Sequence, residues 1–225
     1  MKSTKFKSKS PTVLITGASG GLGRSLSIKF ARMGYNLIIN GRNKCELKKT
    51  AINIKKENQK IKCILKCGDL KNPKTIKNLM IKADKYNASI LINNAGISEY
   101  GSIINFSEDK IRELIGINLI IPLILSKDFC RLLIKGKKKG TIINIISMSG
   151  REPNYKRAVY CASKYGLTGF TDSLSLEFKK KGINILGIYP RGMKTKGYKG
   201  RKMKGKKLIN PDIVAEDVYN QFKNL

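Results

Sequence analysis

Residues 12–23 read Thr-Val-Leu-Ile-Thr-Gly-Ala-Ser-Gly-Gly-Leu-Gly. The first five are apolar or β-branched, as suits a strand covered on both faces of a parallel sheet. Arg24 to Ala31 continue with helical spacing, which puts Leu22, Leu26, Phe30 and Met33 on one side. A buried strand, a glycine-rich turn and a helix in direct succession make a unit that cradles a pyrophosphate. Gly17 permits the tight turn, Gly21 lets the backbone approach a phosphate, and Gly23 lets the helix pack on the strand. Ser19, Gly20 and Leu22 complete the loop, where unsatisfied N–H groups of the helix N-terminus face an anion. A merely flexible glycine turn is the plainer alternative, and the flanking strand and helix weigh against it.

The next strand candidate, Asn36 to Asn40, ends in Gly41-Arg42-Asn43. A carboxylate at that strand end would bind the ribose hydroxyls of NAD, whereas an arginine accommodates the 2′-phosphate of NADP. No Asp or Glu occurs from 40 to 43. Arg42 and Asn43 therefore favour NADP(H) over NAD(H), with Arg42 as one more basic residue of a very basic chain the competing reading.

A second constellation stands far downstream. Ser147 precedes Tyr160 by thirteen residues, and Lys164 follows it by four. On a helix, positions i and i+4 share a face. An isolated phenol has a pKa near ~10, and a neighbouring ammonium favours the phenolate and draws that value toward the working range. A serine hydroxyl presented from a strand end could hold a substrate oxygen beside the phenol. Tyr and Lys at this spacing are more often an ordinary surface pair; the independent glycine motif is what reverses those odds.

Strands and helices alternate from about residue 12 to 190, which argues for one α/β domain over 12–225, built on a parallel sheet with helices on both faces. The 225 residues allow a substantial core, and no repeat or linker divides them. There is no histidine, which excludes Ser–His–Asp and Cys–His catalysis and histidine-based metal sites; no metal site is expected. The five cysteines are odd in number and scattered, and Cys63 and Cys67 flank a strand and read as core packing. Free thiols suit a reducing compartment. The longest apolar stretch, 115–125, is too short to span a bilayer. Residues 1–11 read as a flexible basic tail without the apolar core of a secretory signal. A cytoplasmic protein without membrane insertion is expected. The net charge of +31 implies salt-sensitive polyanion binding, but the lysines are spread over helix surfaces, so no specific nucleic-acid partner is expected.

Together these residues resemble the short-chain dehydrogenase/reductase family over nearly the whole chain. Thr16 to Gly23 is similar to its TGxxxGxG cofactor motif. Asp69-Leu70 resembles the pair that contacts the adenine ring, and Asn93-Asn94-Ala95-Gly96 the NNAG motif closing the fourth strand. Asn118 sits where the family keeps the asparagine of its catalytic tetrad; Ser147, Tyr160 and Lys164 match the other members. Pro190 to Thr195 is similar to the PGxxxT segment that cups the nicotinamide. The resemblance implies a single-domain, Rossmann-type doubly wound fold. It also implies an NADP(H)-dependent oxidoreductase interconverting a carbonyl and a secondary alcohol, such as a 3-oxoacyl reductase or another ketone or aldehyde reductase. In that scheme Tyr160 protonates the developing alkoxide and Ser147 hydrogen-bonds the same oxygen. Lys164 binds the nicotinamide ribose and acidifies the tyrosine, and Asn118 holds a water linking Lys164 to solvent. Thr195 and the Met193 backbone orient the carboxamide. A homodimer through helices near 107–133 and 158–180 is implied by analogy.

Three departures from the family pattern stand out. Arg191 replaces the glycine after Pro190, which would be strained if that position needs positive φ, unless Gly192 takes over the turn. The sequence ends after a helix-like segment, 211–224, so the usual last strand is expected to be missing. A basic stretch, 135–140, precedes the fifth strand as a solvated loop. The segment 190–210 would form a substrate lid carrying Lys194, Lys202, Lys204, Lys206 and Lys207 among others, which suits an anionic small-molecule carbonyl substrate. Two other classes compete: a non-catalytic dinucleotide sensor or scaffold, and a sugar-nucleotide epimerase or dehydratase. The intact Asn118–Ser147–Tyr160–Lys164 set disfavours the first, and the lack of a large C-terminal substrate region disfavours the second.

Overall fold

A computed structural model of the chain describes residues 10–195 and 208–225. The first nine residues of the expected tail, and positions 196–207 of the expected lid, lie outside the described residues. Ser10 and Pro11, which the sequence assigns to the tail, are tied to the second strand: Asn36 donates to both their carbonyls.

Six parallel strands form one sheet in the order β3-β2-β1-β4-β5-β6. They are β1 (Thr12–Ile15), β2 (Asn36–Gly41), β3 (Cys63–Cys67), β4 (Ala88–Asn93), β5 (Gly140–Ile145) and β6 (Ile183–Ile188). Side chains alternate across a strand, so β1 feeds two cores. Val13 and Ile15 pack with α1 (Gly21–Arg32), α2 (Lys44–Glu57) and α7 (Pro211–Lys223) on one face. Leu14 packs on the other with α3 (Pro73–Lys85), α5 (Ile121–Lys135) and α6 (Ala158–Phe178). This is the doubly wound arrangement expected. Chain order reverses between β1 and β4, and in such sheets the crevice beyond the carboxyl ends at that switch point is where ligands bind.

Local details depart from the sequence reading where tertiary contacts decide. Met33 is 44% exposed, because α1 stops at Arg32 before Gly34 turns the chain with φ 87°. Cys67, unlike the half-buried Cys63, is exposed on the edge strand and donates to the Arg42 carbonyl. α3 is capped by Asn72, which accepts from Lys74 N, while Asp69 accepts from Lys71 N in the preceding turn. Among the described residues no strand follows β6 beyond a single bridge, Met193 to Ile209.

The helix expected across 107–133 runs from α4 (Glu108–Ile115) into α5 through a π-helical turn, Gly116–Ile120. Proline supplies the reason. Pro122 has no N–H to offer the carbonyl of Asn118 four residues back, and the widened turn falls there.

A ladder of buried amides and hydroxyls crosses the sheet toward α6. Asn93 Nδ2 donates to Ser126 Oγ on α5 (3.0 Å) and to Asn144 Oδ1 on β5 (2.8 Å); Asn144 Nδ2 donates to Thr171 Oγ1 on α6 (2.9 Å). Removing one rung strands the others in apolar surroundings. Asn144→Ala should cost about 2–3 kcal/mol in denaturant unfolding; a change below about 0.5 kcal/mol would show that the ladder contributes little.

Candidate active site

At the end of β1 the chain turns through Gly17 (φ 67°) and Gly21 (φ 51°), both in the left-handed region. A Cβ on Gly17 would lie 2.8 Å from Ala95 Cα, and one on Gly23 would overlap Gly17 O and the Asn94 amide. Asn94 exploits this closeness: its Nδ2 donates to Thr16 O (2.9 Å) and Gly17 O (3.2 Å). In return Thr16 Oγ1 accepts from Asn94 N (3.0 Å) and Ala95 N (3.1 Å). The clasp sets the N-terminus of α1 against the end of β4. Gly20, the residue before α1, offers no side-chain cap, and the first turn holds no acid. Backbone N–H groups therefore face a cleft of about 680 Å³.

That cleft is lined by Gly17, Ser19, Gly20, Gly21, Leu22, Gly23, Arg42, Asn43, Asp69, Leu70, Asn94, Ala95, Gly96, Met193 and Thr195, all expected from the sequence. Asn93 does not line it; its side chain is committed to the buried ladder. The sequence reading also missed Arg24 and Glu46, which line the cleft too. Arg24 Nη2 meets Glu46 Oε2 at 2.7 Å and Ser19 O at 3.2 Å, and its Nε donates to Thr50 Oγ1, bracing the glycine loop against α2. One signal was available: Glu46 is the first carboxylate in the chain. The left-handed glycines, the uncapped helix end and the absence of a carboxylate at residues 40–43 make a cradle that fits a phosphorylated dinucleotide.

A second cavity of about 430 Å³ adjoins the first and shares Asn94, Gly96, Ile97, Met193 and Thr195 with it. Its walls include Ser147, Tyr160, Lys164, Pro190 and Arg191. Ser147 follows β5 and accepts from Ser149 N (3.1 Å) in the short turn beyond. Tyr160 lies in the first turn of α6, where the helix dipole favours negative charge. Lys164 Nζ sits 5.9 Å from the Tyr160 ring centroid and donates to Ile145 O at 3.1 Å. The lysine is 5% exposed, and burial pulls its ammonium down to about 8. Asn118 uses its amide to fasten the loop after β4. It donates to Ile97 O and accepts from Ile97 N, both at 2.9 Å, and it donates to Ser163 Oγ on α6 at 3.2 Å.

Neither Arg191 nor Gly192 has a left-handed φ, so the expected strain is absent. Instead Ile209 N donates to Gly192 O and Lys194 N to Ile209 O, each at 2.9 Å, strapping Gly192–Lys194 to the residues before α7. A larger apolar groove of about 810 Å³ runs between α3 and α5. The phenol, the buried ammonium and the glycine cradle all lie at the other two cavities.

Residues 11–204 match the sequence model of the short chain dehydrogenases. The chain belongs to the short-chain dehydrogenase family. It is 36% identical over 184 residues to 3-oxoacyl-(acyl-carrier-protein) reductase FabG of Rickettsia felis, covering 82% of this chain and 73% of that reductase. It is equally 36% identical over 197 residues to the reductase of the same name from Buchnera aphidicola, covering 84% of this chain and 76% of that one. Among solved structures, a short-chain dehydrogenase from Sphingobium yanoikuyae in complex with NADPH superposes with a TM-score of 0.88 at 27% identity, over 95% of this chain and 85% of that one. A ketone-specific alcohol dehydrogenase from Comamonas testosteroni reaches 0.86 at 26% identity, over 95% and 83%. This short-chain dehydrogenase is an NAD(P)-dependent oxidoreductase of the carbonyl–alcohol couple.

The buried lysine makes a measurable stability statement. Its folded pKa of about 8 lies below the ordinary 10.5, so the unfolded chain binds the extra proton between those values and stability rises with pH across that window. Below pH 8 the full penalty applies, on the order of 3 kcal/mol. In the cofactor-free protein Lys164→Met should therefore be the more stable form near pH 7, with the gap narrowing as pH climbs toward 10.5. Parallel unfolding curves with a pH-independent gap would contradict the assignment.

Proposed function

We propose that this chain is an NADP(H)-preferring reductase in which Tyr160 is the proton donor to the substrate oxygen. The observation that carries the reading is the placement of Tyr160 and Lys164 on a cavity continuous with the glycine cleft. Gly17 to Gly23, Asp69, Leu70, Asn94 and Thr195 would hold the dinucleotide, and Arg42 with Asn43 would meet its 2′-phosphate. When bound, it supplies the hydride. The protein does the rest. Ser147 hydrogen-bonds the carbonyl oxygen as negative charge develops, and Tyr160 Oη gives up its proton to that oxygen. The α6 N-terminus and Lys164 stabilise the phenolate that remains. Pro122 leaves the Asn118 carbonyl without its α-helical donor, which suits it to hold the water that returns a proton from solvent by way of Lys164. The Asn118 amide itself positions the loop after β4.

Relatives named as 3-oxoacyl-(acyl-carrier-protein) reductases support a 3-oxo thioester or similar ketone as substrate. Arg191 and Lys194 on the cavity walls favour an anionic group on it. The apolar seam between α5 and α6, with Cys130, Ile134, Phe170, Leu174 and Phe178 along a groove of about 500 Å³, supports a homodimer through these helices. Among the described residues no helix is long and apolar enough to cross a membrane, which is consistent with a cytoplasmic enzyme.

Tyr160→Phe should lower kcat for carbonyl reduction by roughly 10²–10⁴-fold while NADPH affinity, followed by nucleotide fluorescence, stays within a few-fold. Retention of wild-type kcat would refute the proton-donor role. Arg42→Ala should weaken NADPH binding by about tenfold or more and leave NADH binding little changed; equal losses for both would remove the 2′-phosphate contact.

A further inference from the structure

Arg157 occupies a position that helix electrostatics disfavour. It is the residue before α6, where capping side chains and negative charge are preferred, and it makes no capping hydrogen bond. Its guanidinium is turned onto the face of Tyr160, 4.8 Å from the ring centroid. Nη2 donates to Ser98 Oγ at 2.7 Å, which anchors it to the loop after β4. Among the described residues it pairs with no carboxylate. The nearest acid on that loop, Glu99, is held by Lys110 at 2.9 Å.

The other charges around this helix end are engaged elsewhere or face the cavity more remotely. Arg151 stacks on Tyr189 at 3.6 Å and Lys156 on Tyr155 at 5.4 Å. Arg191 lines the cavity from the segment after β6. Lys164 is the cation from the next turn of α6, and its charge fades as pH passes about 8. A guanidinium keeps its charge throughout that range and attracts an electron-rich ring more strongly once the phenol ionises.

We propose that Arg157, clamped by Ser98, is a positioning residue that stacks on Tyr160 and makes its phenol a stronger acid. The inference rests on the reading of Tyr160 as proton donor, but its primary test does not. Phenolate absorbance of the cofactor-free protein, minus that of the matching Tyr160→Phe protein, isolates this phenol among the nine tyrosines. Arg157→Gln should move the titration to higher pH, making the phenol a roughly tenfold weaker acid. Arg157→Lys should restore part of the shift, and Ser98→Ala, which leaves the arginine in place but unclamped, should move it the same way by less. In turnover, the alkaline fall of kcat for carbonyl reduction should shift upward with the titration in Arg157→Gln, whereas a merely structural role would lower kcat at every pH without moving the profile. Coincident titrations of wild type, Arg157→Gln and Ser98→Ala would overturn the proposal. Should Arg157→Gln not fold, an unmoved titration in Ser98→Ala and Arg157→Lys together would overturn it as well. Active Tyr160→Phe with a shifted titration would instead reject the proton-donor reading and leave the stacking effect standing.

Discussion

The amide of Asn94 spans the carboxyl ends of β1 and β4, and the geometry of the site depends on that clasp. The Thr16 and Gly17 carbonyls accept from one side chain, and the Thr16 hydroxyl oxygen accepts from two backbone N–H groups just beyond β4. The distances allow no Cβ at Gly17 or Gly23. Close approach of backbone to backbone is thus the constraint that aims the α1 N-terminus into the crevice. The same clasp fixes Gly96 and Ile97, which belong to both cavities, so the glycine cleft and the wall of the second cavity are set by one contact.

The proposed proton-handling side is built on α6. Its first turn brings Tyr160 to the positive end of the helix, its second carries the buried Lys164, and Ser163 between them is tied to Asn118. Burying an ammonium against a single carbonyl is unfavourable, and the ladder through Asn93, Asn144 and Thr171 helps hold α6 in place against that cost. Arg24 and Glu46 serve a comparable bracing purpose at the other cavity. They set a carboxylate inside the cleft but neutralise it within an ion pair, so it does not oppose a phosphate as a lone charge would. Arg157 fits poorly as the residue before α6, and local rules are most often broken where a site needs a group in a particular place.

Much of this could be read before any coordinates. Buried strands, the glycine turn and the i, i+4 pair leave local signatures, since each depends on spacing along one element. The misreadings share a different character. Asn93 reads as a cofactor contact through the NNAG resemblance, but its side chain is spent on the buried ladder and does not line the cleft. Met33 continues the apolar face of α1 in spacing alone, because the helix ends one residue earlier. Arg191 threatened strain only on the assumption of a left-handed backbone that the strap to Ile209 removes.

The sequence by itself determined the alternating β/α order, the glycine turn between β1 and α1, and the presence of a phenol with an ammonium one helical turn away. Periodicity and glycine placement are local properties of a chain, legible without its partners. Only the tertiary structure decided that the two ends of the molecule share a pair of adjoining cavities, that Pro122 widens the helix at Asn118, and that Arg157 lies over the Tyr160 ring. Those facts follow from which surfaces are pressed together across the sheet, and distance along the sequence carries no record of that.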